Sequence, residues 1–373
     1  MSSELSSAVE SIATEVTAPA APGVDAQGAF PAASLKALRD KGLLGLTSAR
    51  EVGGLGEGPA SAVLVVERLA RECASTAMVV AMHYAGTAVL EKAGPEAVRR
   101  EVAAGRHLTT LAFSEAGSRS QFWAPVSTAR AAGDAVQLDA RKSWVTSAHH
   151  ADSYVWSSRP LAGKEASTLW LVPRTTPGLA IQGTFDGLGL RGNDSAPVVA
   201  EGARVPASAR LGGDGEGFGL MMGTVLPWFN LLNAACAVGV MEAATARTAR
   251  HAGGTRFEHS GSAVADLPTA RAFIARMRIR TDQARALLME AVAAVEGARP
   301  DAMLRVLEVK ASAGEAATEV TDWAMRVCGG AAFRKEVGVE RAFRDARAGT
   351  VMAPTTDALY DFIGKAVCGL PLF

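Results

Sequence analysis

The chain has 373 residues, 49% of them hydrophobic, and its 38 lysines and arginines balance its 38 aspartates and glutamates. This balance removes the electrostatic basis for binding nucleic acid or an anionic membrane surface, and the length suffices for two or three packed units. The four cysteines are far apart and lack metal-ligand spacing, so we expect reduced thiols in a cytoplasmic protein. We find no export signal at the N-terminus, and polar residues interrupt the longest apolar runs, which argues against a membrane span.

The first third of the chain is predicted to be helical. Residues 1 to about 30 begin as Ser-rich helical sequence and drift into Ala, Pro and Gly, which indicates a loosely held start. Helical periodicity is clear in the four stretches that follow, Leu35–Leu43, Ala60–Glu72, Ala77–Lys92 and Pro95–Ala104. His83 lies on one of these apolar helices, where a packed core histidine is the expected role. We therefore assign residues 1–107 to an N-terminal helical domain.

From about Leu108 the pattern changes to short alternating runs separated by Gly, Pro, Asp and Asn, which is typical of strands. The runs are Thr109–Ser114, Ser127–Ala131, Ala135–Ala140, Lys142–Ser147, Ser153–Ser158, Thr168–Val172 and Ala196–Val199. This spacing predicts a middle β domain, a small barrel or sandwich, over residues 108–212. His149 and His150 are adjacent, so on a strand they would point to opposite faces; we expect a turn and no metal site.

The last third, residues 213–373, returns to helical periodicity. The predicted helices are Pro227–His251, Thr269–Glu296, Asp301–Val327 and Thr356–Val367, and long antiparallel helices of this kind form a four-helix bundle. Gly329-Gly330 ends the third of these helices, a charged segment follows, and Pro354 with the next three residues stops one helix and caps the last. The predicted fold class is therefore α+β, with helical domains on either side of a β domain.

Three motifs together resemble the signatures of the acyl-CoA dehydrogenase superfamily. The first is LAFSEAGSRS at residues 111–120, and the second is KSWVTSA at residues 142–148. The third extends from Gly329-Gly330 through Arg344-Asp345 to Thr355 in the order and spacing of the C-terminal signature. The resemblance covers about residues 30–362. It implies the fold class above and an FAD-dependent enzyme.

The resemblance also implies which residues hold FAD. In the family a Ser or Thr at the position of Ser114 holds the flavin ring, a Trp at Trp144 stacks near it, and a Thr at Thr146 bonds its N5 edge. A planar apolar body with a polar rim suits an aromatic wall and a few fixed donors. Arg256 matches more loosely an arginine that reaches the FAD of a neighbouring subunit, which implies a homotetramer or at least a dimer. The full cofactor set that we predict is Phe113, Ser114, Gly117, Ser118, Trp144, Thr146, Arg256, Gly329, Gly330, Thr355 and Asp357.

The chain departs from the family pattern at the positions where the family has its proton acceptor and neighbouring site residues. The glutamate that abstracts the substrate α-proton in the family is Ala353 here, followed by Pro354 in place of a glycine, and a methyl group cannot take a proton. Some branches place their glutamate on the first bundle helix, but residues 225–230 contain no carboxylate. Arg119 replaces a usual aspartate, and Arg326 replaces a glutamine that meets the neighbour's FAD. We assign Arg119 to an anionic part of the substrate and leave the catalytic base unassigned.

Three functions are compatible with these residues. The first is dehydrogenation of an acyl thioester on coenzyme A or a carrier protein, with the base elsewhere. The second is a flavin monooxygenase built on the same fold, and the third is a non-redox elimination or binding role. Family frequency favours the first function, whereas the missing glutamate favours the other two. The implied partners are an acyl thioester or another small molecule, and an electron-transfer flavoprotein or a flavin reductase.

Overall fold

The computed structural model describes residues 2–119, 121–162 and 167–372. Helices at both ends of the chain enclose a middle region of two β-sheets, which confirms the predicted α+β fold class. One apolar core joins the N-terminal helices, the C-terminal bundle and one face of the first sheet, and a second core fills the space between the two sheets.

The N-terminal helices are α1 (Ser3–Ser11), α2 (Ala18–Gln27), α3 (Ala32–Asp40), α4 (Pro59–Glu72), α5 (Ala74–Ala93) and α6 (Glu96–Ala103), and a π-helical stretch, Ile12–Thr17, joins α1 to α2. The prediction of a loosely held start is wrong, because α1, the π-helical stretch and α2 are helical and bury Val9, Ile12 and Val24 respectively. His83 on α5 is a packed core histidine, as predicted. It lies 3.0 Å from the Leu44 carbonyl and accepts a hydrogen bond from the Thr109 amide, and burial lowers its pKa to about 4.

The middle region has eight strands, β1 (Thr109–Ala112), β2 (Thr128–Ala132), β3 (Ala135–Val145), β4 (Ser153–Ser158), β5 (Thr168–Pro173), β6 (Leu179–Ile181), β7 (Ala196–Pro206) and β8 (Arg210–Leu211). They form two four-stranded sheets in the orders β1-β4-β5-β8 and β2-β3-β7-β6. The two runs predicted over 135–147 are one strand, β3, whose pairing with β7 shifts register twice. Each shift interrupts the alternation of apolar and polar residues along β3, so the sequence pattern divided this strand into two runs.

The C-terminal helices are α7 (Gly217–Leu220), α8 (Leu226–Gly254), α9 (Pro268–Glu296), α10 (Ala302–Cys328), α11 (Val339–Val351) and α12 (Thr356–Val367), and π-helical Met221–Val225 joins α7 to α8. The four predicted bundle helices are present, and the charged segment after Gly330 is a further helix, α11. Helix α10 packs against α8, α9, α11 and α12. Thr355 caps α12 by accepting a hydrogen bond from the Ala358 amide.

One helical segment, Gly217–Gly254, is long and apolar enough to cross a membrane by length and composition, with a mean hydropathy of 1.4. However, 83% of its most apolar window is buried inside the protein, and core helices of globular proteins meet the same criterion. Its apolar face therefore has partners within the bundle.

Candidate functional site

A cavity of about 920 Å³ lies where the N-terminal helices, the sandwich and the bundle meet. This volume falls in the range of sites that enclose a cofactor or a drug-sized ligand. Its wall is mainly apolar and includes Met78 and Met82 from α5, and Val225 and Phe229 from the start of the bundle. Residues from the strands and loops of the sandwich complete the lining.

The structure brings seven of the residues predicted to bind ligand to the wall of this cavity. They are Phe113, Ser114, Gly117, Arg119, Trp144, Thr146 and Thr355. Ser118 lies between two of them in sequence, and its hydroxyl donates to the Glu115 carbonyl. The remaining predicted residues, Arg256, Gly329, Gly330 and Asp357, lie on exposed surface outside this wall.

Trp144 has the features of an aromatic wall for a ligand. Its side chain is 70% exposed although it lines the cavity, and its ring meets the edge of Phe185 at 6.5 Å between centroids. A large apolar side chain left this uncovered indicates a surface that a planar apolar ligand can cover. Two residues on, the Thr146 hydroxyl is buried and lies 3.2 Å from the Ser195 hydroxyl.

Backbone strain is concentrated around the cavity. Six non-glycine residues in the described chain have φ between +46° and +59°. Arg119, Trp144 and Leu190 line the cavity, and Ser147 and Asp194 adjoin lining residues, which leaves only Ala298 elsewhere. Such conformations cost roughly 1–3 kcal/mol each and persist where surrounding structure fixes a functional side chain. The sequence motifs did not reveal this feature.

Glu115 is the sole carboxylate among the cavity-lining residues that the structure describes. Its side chain is completely buried, receives the Lys142 ammonium at 2.5 Å and accepts the backbone amides of Val126 and Ser127 at 2.6 and 3.0 Å. Burial alone would raise the pKa of Glu115, but Lys142 and these hydrogen bonds hold that pKa below its ordinary value. A carboxylate tied in this way is a poor proton acceptor, so Glu115 does not replace the missing base.

Helix α11 presents one face to the cavity through Arg344, Arg347, Ala348 and Val351, which follow helical spacing. Arg344 is neutralised, because it donates to both carboxylate oxygens of Asp25 at 2.9 and 2.6 Å and also pairs with Glu340. Arg347 packs its guanidinium 4.0 Å from the centre of the Phe343 ring, and burial lowers its pKa. The sequence predictions did not assign these two arginines to the site.

Ala353 follows this face and also lines the cavity. The residue that the sequence analysis predicts at the place of the family's proton acceptor therefore lies in the wall that Trp144 and Thr146 share. In the described ranges no group of three or more His, Cys, Asp or Glu side chains could hold a metal ion. His149 lies in a turn and its Nδ1 is 2.7 Å from an Asp194 carboxylate oxygen, and the four cysteines are free thiols.

Models of the N-terminal, middle and C-terminal domains of acyl-CoA dehydrogenase match residues 2–105, 110–203 and 215–368. The chain belongs to the acyl-CoA dehydrogenase family. It is 31% identical to the mitochondrial short-chain specific acyl-CoA dehydrogenase of Bos taurus, over 91% of this chain and 83% of that protein. It is 29% identical to the cyclohex-1-ene-1-carbonyl-CoA dehydrogenase of Geobacter metallireducens, over 96% of each chain. The structure of butyryl-CoA dehydrogenase from Megasphaera elsdenii matches with a TM-score of 0.91, 22% identity and 99% coverage of both chains.

As a member of this family the protein is an FAD-dependent oxidoreductase, and its cavity fits that cofactor. The uncovered Trp144 ring supplies a flat apolar wall, and the hydroxyls of Ser114, Thr146 and Thr355 border the same cavity. Trp144 and Ser147, which flank Thr146 in sequence, have strained backbone conformations. The assignment of individual residues to FAD stays a prediction.

Proposed function

We propose that the protein oxidises the Cα–Cβ bond of an acyl thioester carried on coenzyme A or on a carrier protein. The observation that carries this proposal is that Trp144, Thr146 and Ala353 line one cavity of about 920 Å³. When bound, FAD supplies the acceptor for the hydride that leaves Cβ. The apolar residues Met78, Met82 and Phe229 would exclude water from the acyl chain, and Trp144 would orient the flavin.

Removal of the α-proton is the step for which the cavity is poorly equipped. Ala353 has no proton acceptor, and Glu115 is held by Lys142 and two backbone amides. A positioned base contributes on the order of 10² to 10⁴ in rate. We therefore expect slow or no oxidation of simple saturated acyl thioesters by the wild-type protein. Thioesters with a more acidic Cα–H are the better substrates in this proposal.

The missing base also favours a second candidate function. A monooxygenase that uses reduced flavin and oxygen needs no base at Cα, so the methyl group of Ala353 would not slow its reaction. In that case the wild-type protein consumes oxygen when it is given reduced flavin and its substrate. The electron partner would then be a flavin reductase instead of an electron-transfer flavoprotein. In either case we propose a cytoplasmic homotetramer.

The test mixes the oxidised FAD-loaded protein with a panel of acyl thioesters without oxygen and follows flavin absorbance. The variants are Ala353→Glu and the double variant with Pro354→Gly, which gives the new carboxylate the family's neighbour. Ala348→Glu is the matched control, because it puts a carboxylate elsewhere in the same cavity wall. We expect the double variant to reduce flavin at least tenfold faster than wild type, and the control to remain slow.

Each other outcome has a defined meaning. Fast reduction by the wild type with saturated thioesters would show that another residue is the base. If no variant reduces flavin but the wild type consumes oxygen with reduced flavin and substrate, the monooxygenase function replaces the dehydrogenase. A protein that neither carries FAD nor quenches the fluorescence of added FAD would overturn both proposals.

A further inference from the structure

Lys310, in the middle of α10, is a buried cation that the family motifs do not include. Its side chain has no exposed surface, and its Nζ donates to the backbone carbonyls of Gly349, Met352 and Pro354 at 3.2, 2.9 and 2.7 Å. In the described part of the chain no carboxylate pairs with it. Burying an ammonium without a counter-ion raises the free energy of the folded state, so other contacts must stabilise a lysine at this place.

The three backbone carbonyls explain why a buried lysine is tolerated at this position. They belong to the end of α11 and to the turn that leads to α12, where the last carbonyls of a helix have no partner within the helix. An ammonium has three donors, which match three acceptors, and a cation is favoured at a helix C-terminus by the helix dipole. The Phe229 ring, 5.9 Å from Nζ, adds a weaker favourable contact. Lys310 therefore caps α11 with a side chain from another helix.

The capped segment forms part of the cavity wall. Val351, Met352 and Ala353 lie between the outermost carbonyls that Lys310 holds, and all three line the cavity. A second side chain, Asn233 of α8, reaches the same turn, since its Nδ2 lies 3.3 Å from the Met352 sulfur. Side chains from two bundle helices, α8 and α10, thus contact the turn that carries Ala353.

We propose that Lys310 is a positioning residue that fixes the turn over residues 349–354 so that Ala353 and Thr355 keep their places in the cavity wall. It acts through the backbone of the turn and does not contact the substrate. An apolar side chain could fill the same volume, but it would leave the carbonyls of Gly349, Met352 and Pro354 without the donor that Lys310 supplies. The inference concerns the wall itself and does not depend on which flavin reaction the cavity performs.

The test compares Lys310→Met with a matched control, Thr321→Val. Thr321 is buried on the same helix, and its hydroxyl donates only within α10, to Ala317 and Thr318. Amide hydrogen exchange of a peptide over residues 349–356 is measured by mass spectrometry on the FAD-loaded proteins at about pH 6, where Lys310 is an ammonium because its pKa in the folded protein is about 7. We expect at least tenfold faster exchange in Lys310→Met, wild-type exchange in Thr321→Val, and little change elsewhere in α10.

A second measurement distinguishes a Lys310 that positions the cavity wall from one that only fills space in the core. If Lys310 fixes the wall, Lys310→Met should bind FAD at least fivefold more weakly than wild type, whereas Thr321→Val should bind FAD as tightly as wild type. Unchanged exchange over 349–356 in Lys310→Met would overturn the proposal. Should that variant fail to fold, Lys310→Gln, which keeps two donors, is expected to exchange faster than wild type in the same peptide. Wild-type exchange there would equally refute the inference.

Discussion

Arg119 has the features expected of a residue that holds an anionic part of the substrate. It lines the cavity with φ at +46°, and in the described part of the chain it has no ion-pair partner. A guanidinium without an ion-pair partner can bind a carboxylate or phosphate by donating paired hydrogen bonds, and a strained backbone is typical of functional positions. The sequence pointed to Arg119 through the missing aspartate, but it could not show the strain or the absence of a partner.

We expect Arg119→Ala to raise the dissociation constant of a bound acyl thioester about tenfold, the loss of roughly one charge-assisted hydrogen bond. FAD affinity should not change. Arg130→Ala is the control, because Arg130 is an exposed arginine on β2 outside the cavity wall. Calorimetric titration of the FAD-loaded protein with butyryl-CoA provides the measurement. Equal affinities for wild type and Arg119→Ala would make Arg119 an ordinary turn residue.

Lys310 also gives a pH dependence whose sign can be derived. Burial lowers the pKa of Lys310 from 10.5 to about 7, and no charged side chain in the described chain offsets this. Between these pH values the unfolded chain binds one more proton at this site than the folded chain. Lys310 therefore makes the free energy of unfolding rise with pH, by at most about 1.4 kcal/mol per pH unit. Below pH 7 its contribution is constant.

Urea denaturation of wild type and Lys310→Met at several pH values between 7 and 10 tests this sign. The free energy of unfolding of wild type should rise relative to that of the variant as the pH rises, because only the wild type has the titrating lysine. Thr321→Val should differ from wild type by a constant amount over the same range. A constant difference for Lys310→Met as well would mean that Lys310 keeps its ordinary pKa in the folded protein.

Among the elements, those with strong local periodicity were predictable and those fixed by distant contacts were not. The long helices α8, α9 and α10 lie within a few residues of their predicted bounds, because their apolar spacing is regular. Helix α1 agrees with the helical sequence predicted at the start of the chain, whereas α2 was missed since Pro and Gly obscure its pattern, while burial of Ala21 and Val24 stabilises it. Strands β6 and β8 are too short to leave a signal, and they exist because longer neighbours pair with them.

The contact between α2 and α11 shows how a remote partner fixes an element. Arg344 forms two hydrogen bonds with Asp25, and both side chains are at most 15% exposed. Arg344→Ala would leave Asp25 and Glu340 buried without this cation, so we expect a loss of about 3–5 kcal/mol in the free energy of unfolding. Arg100→Ala, which removes an exposed ion pair with Glu96, should cost less than about 1 kcal/mol. Urea denaturation compares the two, and a similar small loss for both would contradict the role given to Arg344.

For the molecule as a whole, the predicted FAD residues separate into two groups. Those of the sandwich other than Ser118, together with Thr355, line the cavity, whereas Arg256, Gly329, Gly330 and Asp357 lie on exposed surface of the bundle. Motifs in one sequence cannot show whether such groups meet within a chain or between chains. Gly330 is informative here, because its φ is ordinary and an added Cβ would meet nothing within 4 Å. Among the described residues of a single chain, no contact requires a glycine at this position.

We propose that contact with a partner subunit explains why residue 330 is a glycine. If the FAD of a neighbouring chain or the neighbour itself approaches the backbone at Gly330, a side chain there would obstruct assembly while leaving the isolated chain intact. Wild-type protein should therefore show about four times the chain mass of 38.5 kDa in light scattering, and Gly330→Val should shift it to smaller species and weaken FAD binding at least tenfold. Gly23→Val is the control, since Gly23 on α2 also has open space around it and an ordinary φ. A wild-type monomer that binds FAD tightly, or a Gly330→Val protein with unchanged mass and FAD affinity, would show that one chain completes the cofactor site alone.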